Sequence, residues 1–155
     1  MQDCHPGEPA KSDLRVVGKQ TKNRGPAMTD ALEGVRVLVV EDEYFVAILI
    51  EEILESAGCV VMGPIPRLPE ALDAVDHEDY DVAVLDVNLA GERINPVADA
   101  LSERNVPFLF VTGYGANALP SEYAERPHIC KPFRMAELLG ALASVVNSPI
   151  QGARA

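Results

Sequence analysis

The chain has no tryptophan, and aromatic residues make up only 5% of it, so its interior must be built largely from Val, Leu, Ala and Ile. Basic residues are also scarce. Thirteen Lys and Arg stand against 24 Asp and Glu, a formal net charge of -11, which argues against a nucleic-acid surface, since phosphate binding needs clustered cations. The three cysteines, Cys4, Cys59 and Cys130, are odd in number and lack metal-ligand spacing. Neither a disulfide framework nor a zinc site is expected, and a reducing compartment fits. The N-terminus has no apolar stretch of the signal-peptide kind, and no later run approaches membrane-span length. A soluble, cytoplasmic protein is expected.

What is present is a globular composition, 48% hydrophobic over 155 residues, about one domain's worth of chain. Residues 1–30 hold five basic and four acidic residues, leaving eight against twenty in the remainder. Much of that acidity is an ordinary solvated face; only acids that converge on one point need a function. Residues 1–32 mix Pro, Gly, Lys, Gln and Ser with little apolar periodicity and read as a disordered leader without chemistry. The ordered domain is placed at 33–147, with a disordered tail over 148–155.

Within the domain, short apolar runs alternate with amphipathic stretches. Val35 to Val40 is a β-branched run stopped by Glu41-Asp42-Glu43, and Val46, Leu49, Ile50, Ile53, Leu54 and Ala57 then mark a helix closed by Gly58. Cys59 to Gly63 is a second strand, which gives way to Pro64, and a short helix follows around Leu68 to Val75. Val82 to Leu85 forms a third strand ending at Asp86. Asn95 is read as an N-cap ahead of Pro96 and a third helix. Phe108 to Val111 is a fourth strand ending at Thr112-Gly113. The Gly- and Pro-rich stretch Gly113 to Pro127 allows one or two turns around Ser121 to Glu125, so a fourth helix there is short or irregular. His128 to Cys130 is a fifth strand ending at Lys131-Pro132, and Met135 to Val146 is the last helix.

This alternation predicts an α/β fold: a doubly wound, five-stranded parallel sheet in the flavodoxin-like order 2-1-3-4-5. Strands one and three flank the point where the winding reverses, and ligands bind at the carboxyl edge there. Glu41, Asp42 and Asp86 would open into that crevice. Three carboxylates in one place repel unless a cation joins them. Mg²⁺ suits an oxygen donor set, takes one or two protein carboxylates and shares its shell with phosphate oxygens. Lys131 and Thr112 would supply a positive charge and a hydroxyl to a phosphoryl group in the same crevice. Each element alone is also compatible with a structural role; an Asp after a strand, for example, often caps a turn.

The joint order of Glu41-Asp42, Asp86, Thr112-Gly113 and Lys131-Pro132 resembles the receiver domain of two-component response regulators, over roughly residues 34–146. Pro107-Phe108-Leu109-Phe110-Val111-Thr112-Gly113-Tyr114-Gly115 is similar to the strand-four motif of the FATGUY subfamily. The resemblance implies that Asp86 accepts a phosphoryl group from a kinase phosphohistidine. It implies Mg²⁺ held by Asp42, Asp86 and the backbone carbonyl of Asn88, with Glu41 acting through water. It also implies that Thr112 and Lys131 stabilise the phosphoryl group and that the bond before Pro132 is cis.

The implied partners are a sensor histidine kinase, of the HWE or a related type, and a downstream protein, with no nucleic acid and no membrane insertion. The chain would be a stand-alone receiver that turns over no free substrate and so is no enzyme in the usual sense. His128 stands where most receivers carry an aromatic switch, so the readout candidates are Tyr114, His128 and an ordering of Gly113 to Pro127 on phosphorylation. A flavodoxin-type cofactor binder conflicts with the three acids after strand one. A haloacid-dehalogenase-type phosphatase would carry its Asp on strand one. A phosphate sink and an unphosphorylated interaction module remain as alternative roles.

Overall fold

In the computed structural model, which describes residues 31–113 and 119–148, the predicted sheet forms. Strands β1 (Arg36–Val40), β2 (Val60–Ile65), β3 (Val82–Asp86), β6 (Phe108–Thr112) and β7 (His128–Cys130) pair in parallel in the order β2-β1-β3-β6-β7. By position in the sheet this is the expected 2-1-3-4-5. Helices α1 (Tyr44–Ser56), α2 (Leu68–His77), α3 (Asn95–Glu103) and α4 (Met135–Asn147) cover it. The central strands β3 and β6 are buried along their whole length, which explains why they read as unbroken apolar runs: both faces of each are covered.

The pleat divides the core into two clusters, because successive side chains point to opposite faces. Val37 and Val39 of β1 pack with Ile50 and Leu54 of α1 and Leu138 and Leu142 of α4. Leu38 and Val40 face the other way, into a cluster with Ala71 and Val75 of α2, Val97 and Leu101 of α3, and Phe108, Phe110 and Tyr123. Leu32, assigned from sequence to the leader, is fully buried in the first cluster. The packed unit therefore begins at least one residue earlier than expected; the rest of the leader, and the tail from 149, lie outside the described residues.

Three local readings are corrected. Pro64 does not end β2, which continues to Ile65; β2 is an edge strand, where a missing N–H is tolerated. The register shift against β1 falls at Gly63, whose φ is +103° and whose added Cβ would lie 2.7 Å from the Val39 carbonyl oxygen. Asn95 does not cap α3 but is its first residue, and its side-chain amide donates instead to Glu122 Oε2 at 3.4 Å. Cys130 is disulfide-bonded, where the odd cysteine count pointed to no disulfide.

A small element was not foreseen. Immediately after Asp86, β4 (Asn88–Leu89) and β5 (Glu92–Arg93) form an antiparallel hairpin around Ala90 and Gly91. Both turn residues have positive φ, 54° and 86°, as tight two-residue hairpin turns require. Beyond Thr112, residues Ser121–Tyr123 form a single 3-10 turn in place of a full helix, as the prolines and glycines predicted. No helix among the described residues is long and apolar enough to cross a membrane.

Candidate functional site

Four strand ends converge at the carboxyl edge of the sheet. Glu41 and Asp42 follow β1, Asp86 ends β3, Thr112 ends β6 and Lys131 follows β7. Asp42, Asp86, Asn88, Thr112 and Lys131 line one cavity of about 890 Å³. Parallel strands place these residues together because each crossover returns the chain to the same edge, so four distant segments end beside one another.

The acids form a tight group. Glu41, Asp42 and Asp86 each offer a carboxylate oxygen, and those oxygens lie within 4.8 Å of one another. The Asp86 side chain is only 7% exposed. Burial pushes its carboxyl up to about 8, the charge of Glu41 pushes in the same direction, and Lys131 only partly opposes them. Lys131 Nζ lies 3.5 Å from Asp86 Oδ2, 3.3 Å from Glu41 Oε2 and 2.8 Å from Glu43 Oε1. Burial draws the Lys131 pKa down, but the hydrogen bond to Glu43 and the charges of Asp86 and Glu41 outweigh it and raise it overall.

The donor set fits a hard cation. Glu41 is 2% exposed, and its Oε1 is buried with no hydrogen-bond partner among the described residues, while Oε2 accepts from the Glu43 N–H at 3.1 Å and from Lys131. An ionised oxygen so placed is costly without a positive or protic neighbour. The three acids supply oxygens only, which suits Mg²⁺ better than a softer metal. The hairpin closes this side of the site. Ala90 N–H donates to Asp42 Oδ2 at 3.1 Å, the Asn88 side chain accepts from the Gly91 N–H at 3.0 Å, and the Asn88 N–H approaches Asp86 Oδ1 at 3.4 Å.

Asp86, Asp42, Glu41, Asn88, Thr112 and Lys131 are thus brought together as the sequence predicted, with Thr112 buried at 1% exposure. The bond between Lys131 and Pro132 is cis, again as expected. His128 is brought elsewhere: it opens the edge strand β7, half-buried and paired with Phe110. Tyr114 lies outside the described residues.

The second half of the Gly113 to Pro127 stretch is packed onto the sheet and α3. Leu119 and Tyr123 are buried, the Tyr123 ring lies 5.7 Å from Phe108 and 5.9 Å from Phe110, and its hydroxyl donates to Asp99 on α3 at 2.6 Å. Sequence reasoning missed two things here. It assigned no role to Glu43, although the third acid of Glu41-Asp42-Glu43 was visible, and it could not foresee the Tyr123 to Asp99 bond, which depends on how two segments 24 residues apart meet.

Comparison with known proteins agrees with this geometry. Residues 37–143 match the response regulator receiver domain family. The chain is similar in structure to SdrG from Sphingomonas melonis Fr1, at 38% identity and a TM-score of 0.67, covering 73% of this chain and 97% of that one. It is 34% identical over 128 residues to the transcriptional regulatory protein TcrA of Mycobacterium tuberculosis, covering 79% of this chain but only 50% of TcrA. It is also 27% identical over 112 residues to sporulation initiation phosphotransferase F of Bacillus subtilis, covering 69% of this chain and 90% of that protein. The chain thus spans about half the length of TcrA and nearly all of the other two.

Proposed function

Because the chain belongs to the response regulator receiver family, we propose that it accepts a phosphoryl group on Asp86 from the phosphohistidine of a sensor histidine kinase. One observation carries this reading: a buried Asp86 with two further acids within 4.8 Å and Lys131 Nζ at 3.5 Å. An interaction module that is never phosphorylated would gain nothing from so costly a cluster.

In the transfer, an Asp86 carboxylate oxygen attacks phosphorus, the bond from phosphorus to the imidazole nitrogen breaks, and that nitrogen keeps the electron pair. The product is an acyl phosphate and a free histidine. Asp86 must be ionised to attack, and its raised pKa means that a cation has to offset Glu41 and Asp42 first. Asp42, Asp86 and the Asn88 carbonyl would hold Mg²⁺, with Glu41 acting through water; the ion would neutralise the acids and the phosphoryl oxygens. Lys131 keeps its charge and follows the phosphoryl oxygens, and the Thr112 hydroxyl donates to them.

The finer assignments rest on the sequence motif. The run from Pro107 to Gly115 supports reading the chain as a FATGUY receiver, served by an HWE-type or related kinase. The acidic surface favours output through a protein contact rather than DNA, in the cytoplasm, with no turnover of free substrate. For SdrG, a BeF3-activated conformation has been described, which supports using the same phosphoryl mimic here. The direct test is labelling with a small phosphodonor and Mg²⁺. Wild type should incorporate phosphate and Asp86→Ala should incorporate none; equal labelling of the two would reject the assignment.

A further inference from the structure

Lys131 is shared unequally among three carboxylates. Its shortest contact is to Glu43, at 2.8 Å, whereas Asp86, the residue whose phosphoryl group it must serve, is at 3.5 Å. Glu43 does not need Lys131 to be stable. Its side chain is 58% exposed and sits at the N-cap position of α1, where short acceptors such as Asp or Ser cap the first turn and the longer Glu side chain is free to reach elsewhere. It makes no capping bond. The side chain turns away from the helix and across the mouth of the cavity to the lysine, which is itself only 17% exposed. An exposed acid thus holds the lysine at 2.8 Å, closer than either buried acid of the site does.

We propose that Glu43 is a positioning residue for phosphoryl acceptance: it holds the Lys131 ammonium off Asp86 in the unphosphorylated protein, and acceptance requires that this contact break. The inference rests on the reading of Asp86 as phospho-acceptor. The lysine lies 3.5 Å from Asp86 and 2.8 Å from Glu43, so the incoming phosphoryl oxygens must win it from Glu43. Because half of the pair is exposed, the brake is weak. Exposed ion pairs contribute little, so releasing Lys131 should tighten binding of a phosphoryl mimic by about two- to fivefold. A shorter acid cannot span the same gap, so Glu43→Asp should release the lysine although it keeps the charge.

The test is titration of the metal-loaded protein with beryllofluoride in Mg²⁺, followed by the amide shift of Gly113, for wild type, Glu43→Gln and Glu43→Asp. Both variants should bind about two- to fivefold more tightly than wild type; Glu43→Gln should leave the urea midpoint unchanged, because Glu43 caps nothing, and Glu43→Asp, which introduces a preferred capping residue, should not lower it. Structural damage would instead weaken binding and lower the midpoint. Placed in a Lys131→Met background, Glu43→Gln should give no gain, since there is no lysine to release. Equal binding by wild type and Glu43→Gln would overturn the proposal. So would Glu43→Asp behaving as wild type, or a gain that persists without Lys131, for the effect would then be the field of the charge and not its contact. If wild type fails to bind beryllofluoride at all, the acceptor assignment of Asp86 fails instead.

Discussion

The crevice at Asp86 and the segment from Leu119 to Pro127 adjoin the same strand, β6, yet they are held together by opposite means. In the crevice, like charges are forced together: Asp86 is buried against Glu41 and Asp42, and one lysine is divided among the acids. Beyond β6, apolar and aromatic groups meet with their polar atoms satisfied. Tyr123 lies against Phe108 and Phe110, its hydroxyl is bonded to Asp99, and the Arg126 guanidinium stacks 4.5 Å over Phe108. The first region stores unfavourable electrostatics that a cation and a phosphoryl group can relieve. The second stabilises the fold and has little to gain from either. A site that must respond to a ligand is therefore built to be unstable without it, on a scaffold that is not.

The sharpest way to break this contrast is to weaken the scaffold. Phe110→Ala removes a fully buried ring and should cost about 3–5 kcal/mol in urea denaturation, with or without Mg²⁺. If the loss were recovered by Mg²⁺, the two regions would not be separate in the way described.

The next effect has the opposite sign. Asp86 has a folded pKa of about 8 against an ordinary 3.8, so between those values it is ionised in the unfolded chain and protonated in the metal-free fold. The stability it permits is complete below 3.8 and is lost as the pH rises through about 8. Asp86→Asn should therefore stabilise the metal-free protein by about 2–4 kcal/mol at pH 7, with little change at pH 4. Thermal melts in EDTA at both pH values would check this, and destabilisation at pH 7 would contradict the electrostatic account of the site.

Smaller still is Tyr123→Phe, which removes the hydrogen bond to Asp99. Asp99 is exposed and can rehydrate, so the cost should be about 1 kcal/mol, read as a lower urea midpoint. Last comes Ala90→Gly at the hairpin turn. An alanine at φ +54° is mildly strained, and glycine should relieve about 1 kcal/mol or less of that strain, seen as a small rise in the midpoint. A fall would mean that the hairpin relies on the alanine side chain.

How far the site could be read from the chain depended on whether position or contact was at issue. The strand ends were visible because apolar runs stop abruptly at Glu41, Asp86, Thr112 and Lys131, and a parallel sheet brings such ends to one edge whatever the loops do. Asn95 was misread as a cap because Asn before Pro is an N-cap signal; the chain instead enters α3 from the hairpin, and the amide finds Glu122. The edge position of β2 made Pro64 harmless, and being at an edge is a property of the assembled sheet.

By itself the sequence determined the α/β alternation, the strand order by analogy of pattern, and the set of groups that meet at Asp86, because burial patterns and chain connectivity are local and directional. Only the tertiary structure decided how those groups share one lysine. The preference of Lys131 for Glu43 over Asp86 is a matter of less than an ångström, and charges at such distances are ranked by side-chain reach and burial, which no run of residues spells out.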